Sequence, residues 1–561
     1  MEKIPILNQS MELSDCRDKW VYDEKHLCWC LEDLLYTPQA AVPKFQRLSI
    51  FVPEKLLRAG GSFPEAAKAV PVVFENSAAG YMQMPHVSLE GPQCYARQYL
   101  DHGLIYVTCG CRGRESRDKG GKLVGKAPAT LVDLKTAIRF LRHNRAVLPG
   151  DWDRIISVGC SAGGAMSALL AVTGDHPDYE PYLRENGAFL EESDSVFAAQ
   201  VYCPIIDLEH ADMAYEWMFQ ADKACEDSPA GPAERMTPFK EALSGRLAGQ
   251  YIPYFNSLGL KNPVTGAPLT LNEDGRSGSG YDYLMGCLNA SAADFLRRLS
   301  NGELPRKESA QDYLIGNYTY WAPAPVPSGP PPAAYQAGSG GPRPDRPPRS
   351  MSLGDLVSSP PKGALVHGAQ PPMVEYPGKD KRGWLYWDGT GAKISSLDAY
   401  VLHYRRRMKP CTSFDKLDMD SGENQVFGSA GTDYVHFSQD VAQAIADLQD
   451  EYPGECARYG KAFQRITNDT ELAERLFLTN PLNFIGTGEN CRQAAHYRIR
   501  VGTADADTAL SVSMVLALKL ANAGCGTVDY AVVWDQPHSE ADYPGEVLAW
   551  IDRICSLNHR N

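Results

Sequence analysis

The chain has 561 residues, 43% hydrophobic, 10% aromatic and 22% charged, the make-up of a globular protein with apolar material for a sizeable core. It is not that of a disordered, fibrous or disulfide-stapled chain. Fifty-five Lys and Arg against 69 Asp and Glu give a net charge of −14, the wrong sign for neutralising nucleic-acid phosphates or resting on an anionic membrane.

At the N-terminus, residues 1–10 show no basic stretch followed by an apolar run and a small-residue cleavage site, and no uncharged apolar run reaches the length of a membrane span. A cytoplasmic protein without a membrane partner is expected. Fifteen scattered cysteines predict free thiols. Cys28/Cys30 and Cys109/Cys111 lack a second ligand pair at zinc-like spacing, so no metal is expected.

Short apolar runs bounded by Gly, Pro or polar clusters at 47–52, 70–75, 104–108, 155–159 and 196–203 predict buried strands. Between the third and fourth, 127–148 predicts a helix, with Leu131, Leu134, Ala137, Ile138, Leu141 and Val147 on one face. Strand, helix and strand in succession describe a parallel sheet. From about 206 to 478 that alternation stops and aromatic-rich, helix-like pieces take over, as in an insertion. Within it, residues 321–350 hold ten of the 40 prolines, which predicts a mobile loop that serves as a spacer. The alternation then returns, with strand 497–501, helix 508–523, strand 527–533 and helix 543–554. The expected domains are therefore a first core part at 1–205, an inserted lid at 206–478 and a second core part at 479–561.

The strongest chemical signal is Gly159-Cys160-Ser161-Ala162-Gly163-Gly164, which fits G-x-S-x-G where a strand hands over to a helix beginning near Gly163. The pattern needs small neighbours because the serine sits on a strained turn between strand and helix. Ser161 is the candidate nucleophile. In this fold the acid and then the histidine follow, each after a strand. Among the late histidines, His496 precedes its strand and His559 lies in the tail, whereas His538 follows strand 527–533 through a short loop, which makes it the candidate base. Strand 497–501 runs into Gly502-Thr503-Ala504-Asp505-Ala506-Asp507-Thr508. Asp505, nearer the strand end, takes the orienting role. Asp507 reads equally as a helix N-cap or as a group facing the pocket. For the oxyanion, the candidate donors are the N–H of Ala162 and one from Ala79 or Gly80, in the small-residue loop after strand 70–75.

Three groups of residues together resemble the bacterial tannases. They are 159–164; the segment 125–144, with Gly125-Lys126-Ala127-Pro128-Ala129 and Asp133-Leu134-Lys135; and the segment 202–217, with Tyr202-Cys203-Pro204-Ile205-Ile206-Asp207 and Tyr215-Glu216-Trp217. The resemblance runs from about Leu48 to the C-terminus, interrupted by the proline-rich stretch. It implies an α/β-hydrolase fold with a large inserted lid, and hydrolysis of galloyl esters without a cofactor, on the triad Ser161, Asp505 and His538. It also implies that Asp507 faces the pocket and, with Lys409 and Glu423 from the lid, binds the hydroxyls of the galloyl ring. The expected partner is thus a small phenolic ester. Hydroxycinnamoyl (feruloyl or chlorogenate-type) ester hydrolysis on the same triad is the rival activity. Some fungal relatives join a cysteine before the serine to one before the histidine. Here Pro537 precedes His538, so Cys160 has no such partner and is expected as a small filler.

Overall fold

The computed structural model describes residues 11–13, 19–56, 63–76, 78–89, 96–224, 236–323, 373–463, 466, 469–487 and 491–557. The expected proline-rich loop falls outside the described residues save for its first three, and His559 falls outside them too.

Nine strands form one sheet: β1 (Val21–Asp23), β2 (Cys28–Leu35), β3 (Arg47–Pro53), β4 (Pro71–Asn76), β5 (Ile105–Cys109), β6 (Asp151–Cys160), β7 (Ala198–Tyr202), β12 (His496–Gly502) and β13 (Thr527–Val533), in the spatial order β1-β2-β3-β5-β4-β6-β7-β12-β13. From β5 to β13 every pairing is parallel, and β1, β2 and β3 continue the sheet antiparallel. The continuous burial of β3, β5, β7 and β12 follows from helices covering both faces. Helices Ala129–His143, Ala162–Val172 and Leu510–Asn522 bury their faces in one apolar cluster. Glu546–Leu557 closes the other face with Tyr99, Tyr106 and Trp550. This is the parallel α/β sheet expected from the strand and helix order, and it is the α/β-hydrolase fold that the resemblance implies.

β1 and β2 are absent from the sequence reading. Alternation along β2 breaks at Glu32 and Asp33, both exposed, where the register to β3 shifts between Leu31 and Leu34 and Asp33 takes φ 63°. A bulge of this kind erases the period of two that announces a strand. The predicted helix 508–523 starts later, at Leu510, and the closing helix starts at Glu546.

The chain leaves the sheet after β7 and re-enters it at β12, which pairs directly with β7 (His496↔Ala198). Between them lie helices, including Leu208–Phe219, Pro238–Ser257 and Ser279–Ser300, and two small antiparallel ribbons, β8 (Thr319–Pro323) with β9 (Met373–Pro377) and β10 (Leu385–Trp387) with β11 (Ala392–Ile394). Leu208–Phe219 packs on Leu510–Asn522, and Ser279–Ser300 packs on β13, so this segment and the sheet share one apolar core. No helix among the described residues is long and apolar enough to cross a membrane.

Candidate active site

β6 ends at Cys160, and the helix Ala162–Val172 begins immediately after Ser161, which holds φ 62°, ψ −126°. A left-handed φ on a non-glycine residue is strained and persists only where its surroundings impose it. The imposition is visible. A Cβ on Gly159 would overlap the Gly163 carbonyl, and one on Gly164 would overlap the Tyr202 carbonyl. The turn is stitched to β7 by the Ser161 N–H donating to Tyr202 O at 3.0 Å, and to β4 by Asn76, whose Nδ2 donates to Val158 O, Gly163 O and Ser167 Oγ at 3.2, 3.2 and 2.9 Å. Asn76 has no motif of its own, and its part in holding this turn was not legible from spacing.

Ser161 Oγ lies 2.8 Å from His538 Nε2, and His538 Nδ1 lies 2.8 Å from Asp505 Oδ2. Asp505 is fully buried, whereas the His538 side chain is 19% exposed, so the chain of three runs from the interior outwards. The two loops that carry them are laced together: Thr503 N–H donates to Val533 O (2.9 Å) and Ala504 N–H to Gln536 O (2.8 Å). Gly502 is required there because a Cβ would overlap the Gln536 carbonyl. Burial disfavours a charged His538, but the carboxylates of Asp505 and Asp507 outweigh it and hold the imidazole well above the usual 6.5.

Asp507 is not an N-cap, since the helix Leu510–Asn522 is preceded by Ala509 without a side-chain cap. Its carboxylate stands 4.0 Å from His538 Nδ1 and 3.8 Å from Lys409 Nζ, and is 40% exposed. Burial works to raise its pKa, but His538, Lys409 and Arg405 together bring it below the usual carboxylate value. Lys409 Nζ donates to the Asp507 carbonyl at 2.7 Å and lies 4.4 Å from the Phe414 ring centroid. Tyr215 sets this pairing, because its hydroxyl accepts from Lys409 N–H (3.1 Å) and donates to Ala506 O (3.0 Å). Glu423 lies on a short helix, Gly422–Val426, that packs against the turn Ala79–Tyr81. Among the described residues it makes no hydrogen bond or ion pair with Lys409 or Asp507, so the expected trio is joined only at Lys409 and Asp507.

The turn Ala79–Tyr81 also packs against the helix Ala162–Val172. Gly80 takes φ 58°, ψ 22°, and the turn's own hydrogen bonds use the N–H groups of Tyr81 and Met82 (3.3 and 3.0 Å). The N–H groups of Ala79 and Gly80 stand outside those bonds, as does that of Ala162 at the first turn of its helix.

Sequence reasoning also missed Cys203. Its Sγ clusters with Asp505 and His538, their ligand atoms all lying within 4.8 Å of one another, the only such grouping with metal-ligating potential among the described residues. Both nitrogens of His538 are already engaged, by Asp505 and Ser161, and Cys203 Sγ donates to Ser539 O at 3.2 Å. Burial pushes its thiol pKa up, away from the thiolate a metal needs. Cys160, expected as a filler, is partly buried and carries a free thiol.

Comparison with known proteins agrees with this architecture. A family model described as BD-FAE matches residues 119–227. The esterase LipQ of Mycobacterium tuberculosis is 36% identical over 91 residues, which are 16% of this chain and 20% of LipQ, so the match spans about a fifth of that relative. Likeness to solved structures runs almost end to end. Tannin acyl hydrolase in complex with ethyl gallate is 29% identical with a TM-score of 0.71, and in complex with 3,4-dihydroxybenzoate 30% identical with a TM-score of 0.70, each covering 97% of this chain and 99% of that one. The tannase of Fusobacterium nucleatum is 27% identical, with a TM-score of 0.71, covering 98% of this chain and 100% of its own. The likeness thus takes in the N-terminal strands as well as the segment from Leu48 onwards. A relative 30% identical over nearly the whole of both chains is a family match, and this chain belongs to the bacterial tannases, α/β-hydrolases that are carboxylic ester hydrolases.

Proposed function

We propose that the protein hydrolyses galloyl esters to gallate and alcohol through an acyl-enzyme on Ser161. His538 Nε2, 2.8 Å from Ser161 Oγ, takes the hydroxyl proton as the oxygen attacks the ester carbonyl. Asp505 fixes the imidazole tautomer through Nδ1 and stabilises the imidazolium that forms. The N–H of Ala162, with that of Ala79 or Gly80, receives the negative charge on the carbonyl oxygen. His538 then gives its proton to the departing alkoxide oxygen. Water repeats the sequence at the acyl carbon, and gallate and the free serine result.

One observation carries the galloyl reading: Lys409 and Asp507 are paired at 3.8 Å, both are partly exposed, and the Asp507 carboxylate stands 4.0 Å from the histidine of the hydrogen-bonded chain. A ring with three adjacent hydroxyls offers donors to a carboxylate and acceptors to an ammonium, so this pair can read hydroxyl position, and Glu423, which the resemblance adds, is the second carboxylate of this reading. The relative crystallised with ethyl gallate supports the same substrate class. Residues 206–478, which contribute Lys409 and Glu423, act in this reading as a lid domain over the core parts 1–205 and 479–561.

The test compares kcat/KM on methyl gallate, methyl ferulate and methyl benzoate. Strong preference for gallate is expected. Preference for ferulate would keep Ser161, Asp505 and His538 in their roles and remove the galloyl assignment of Lys409, Glu423 and Asp507.

A further inference from the structure

Three residues before His538, Asp535 holds φ 61°, a left-handed conformation uncommon for any residue with a side chain. Its backbone N–H donates to Thr503 Oγ1 at 2.8 Å, on the loop that carries Asp505. Its carboxylate turns the other way, into the segment between β7 and β12. There Oδ1 accepts from the hydroxyls of Tyr313 (3.1 Å) and Tyr404 (2.9 Å), and Oδ2 accepts from Arg306. Lys381 completes the group, its ammonium 3.9 Å from the Tyr313 ring centroid and donating to Tyr318 OH at 2.7 Å.

The neighbours repeat the pattern. Trp534 is fully buried, donates from Nε1 to Tyr313 OH at 2.9 Å and stacks on Tyr404 at 4.9 Å between centroids. Tyr400 donates to Thr503 O, and the Tyr404 hydroxyl lies 3.2 Å from Thr503 Oγ1. Every side chain on the outer side of this cluster, Arg306, Tyr313, Lys381, Tyr400 and Tyr404, comes from the segment between the two halves of the sheet. Burial disfavours charge on Asp535, yet Arg306, Lys381 and Tyr404 keep its pKa below the usual carboxylate value, while burial drives Lys381 down to about 8.

We propose that Asp535 is a positioning residue, the clamp through which the inserted segment holds the His538 loop in register with Ser161. The inference rests on the reading of His538 as the base. The two ties are made by different groups of one residue: the backbone N–H holds the Asp505 loop through Thr503, and the carboxylate holds the inserted segment through Arg306, Tyr313 and Tyr404. As a clamp it fixes both loops at once, and its loss leaves the imidazole displaced from the serine while the ring-binding residues stay in place.

The experiment uses the full chain with Asp535→Asn and Tyr404→Phe, p-nitrophenyl acetate and methyl gallate as substrates, and diethyl p-nitrophenyl phosphate as a label for Ser161. Melting and near-ultraviolet circular dichroism report folding. In Asp535→Asn, kcat on both esters is expected to fall by about ten- to a hundred-fold, as small displacements of reacting groups do, with KM changed less than about twofold. Labelling of Ser161 should slow by the same factor, because it too requires proton removal by His538. Tyr404→Phe, which leaves Arg306 and Tyr313 on the carboxylate, should show a smaller loss of the same kind and decides the matter if Asp535→Asn does not fold. Folded variants with wild-type kcat and labelling would overturn the clamp. Ser161→Ala run alongside separates the two failures: hydrolysis retained there removes the proposed mechanism and the clamp with it, whereas an inactive Ser161→Ala beside a fully active Asp535→Asn removes the clamp alone.

Discussion

The backbone N–H of Asp507 donates to Oδ1 of Asp505 at 2.8 Å, while Oδ2 of Asp505 faces His538. Asp505 therefore has both oxygens engaged inside the protein, and Asp507 has its carboxylate turned towards Lys409. The two acids of one short loop are thus separated into a buried group against His538 and a partly exposed group beside Lys409.

The first prediction exploits that separation. Asp505→Asn should lower kcat by about 10⁴, the cost of presenting the wrong imidazole tautomer. Asp507→Asn should instead raise KM for methyl gallate far more than for methyl benzoate. Steady-state kinetics of both variants on both esters check this, and equal effects of the two substitutions would contradict it.

A second prediction concerns pH. Only neutral His538 can accept the serine proton, and Asp505 and Asp507 hold its pKa above 6.5 despite burial. Activity should therefore fall as pH drops through a value above 6.5, and kcat/KM should show its acid limb there. Removing the Asp507 charge lowers the histidine pKa, so the limb in Asp507→Asn moves to lower pH. A limb that stays in place or moves upward would mean that Asp507 does not act on the imidazole.

Lys409→Met and Glu423→Gln form the third. Each should reduce kcat/KM for methyl gallate by more than about tenfold while methyl benzoate changes little, because a site built around hydroxyls is left with unpaired polar groups. Parallel losses on both esters would assign these side chains to the structure of their loops.

How much of this was legible in the sequence depends on the kind of constraint. The serine turn is legible because close packing allows only small residues at Gly159, Gly163 and Gly164, and that requirement is written as a motif. The late strands are legible because Tyr497, Ile499 and Val501 alternate with polar residues along β12, and β13 closes on Ala531, Val532 and Val533, each strand ending in a loop with polar residues. The pairing of Lys409 with Asp507 is not written in either segment. It depends on Tyr215, which belongs to a helix far from both in sequence, and only the family resemblance pointed to it. The Asp535 cluster has no sequence signal, since Arg306, Lys381 and Tyr404 are surface-type residues with no spacing relation to the His538 loop.

A fourth prediction addresses stability. Asp194 is fully buried and binds Lys135 Nζ at 2.6 Å and Arg139 Nε at 2.7 Å. Burial raises its pKa, but the two cations more than offset this and leave it below the usual value. Its contribution is therefore present above the unfolded carboxylate pKa and is lost as pH falls through the lower folded value. Asp194→Ala should cost about 3–5 kcal/mol by leaving two buried cations without their partner. Urea unfolding at neutral pH measures it, and a change below about 1 kcal/mol would contradict the account.

The central claim is that Ser161 attacks the ester. The most direct test is turnover of methyl gallate by Ser161→Ala, with circular dichroism confirming that the variant is folded. The account predicts a loss on the order of 10⁵–10⁶ in kcat, leaving only the slow hydrolysis that binding and the oxyanion donors support. Turnover within about tenfold of the wild type would contradict it, because an enzyme acting through this serine cannot lose the oxygen that forms the acyl bond and keep its rate.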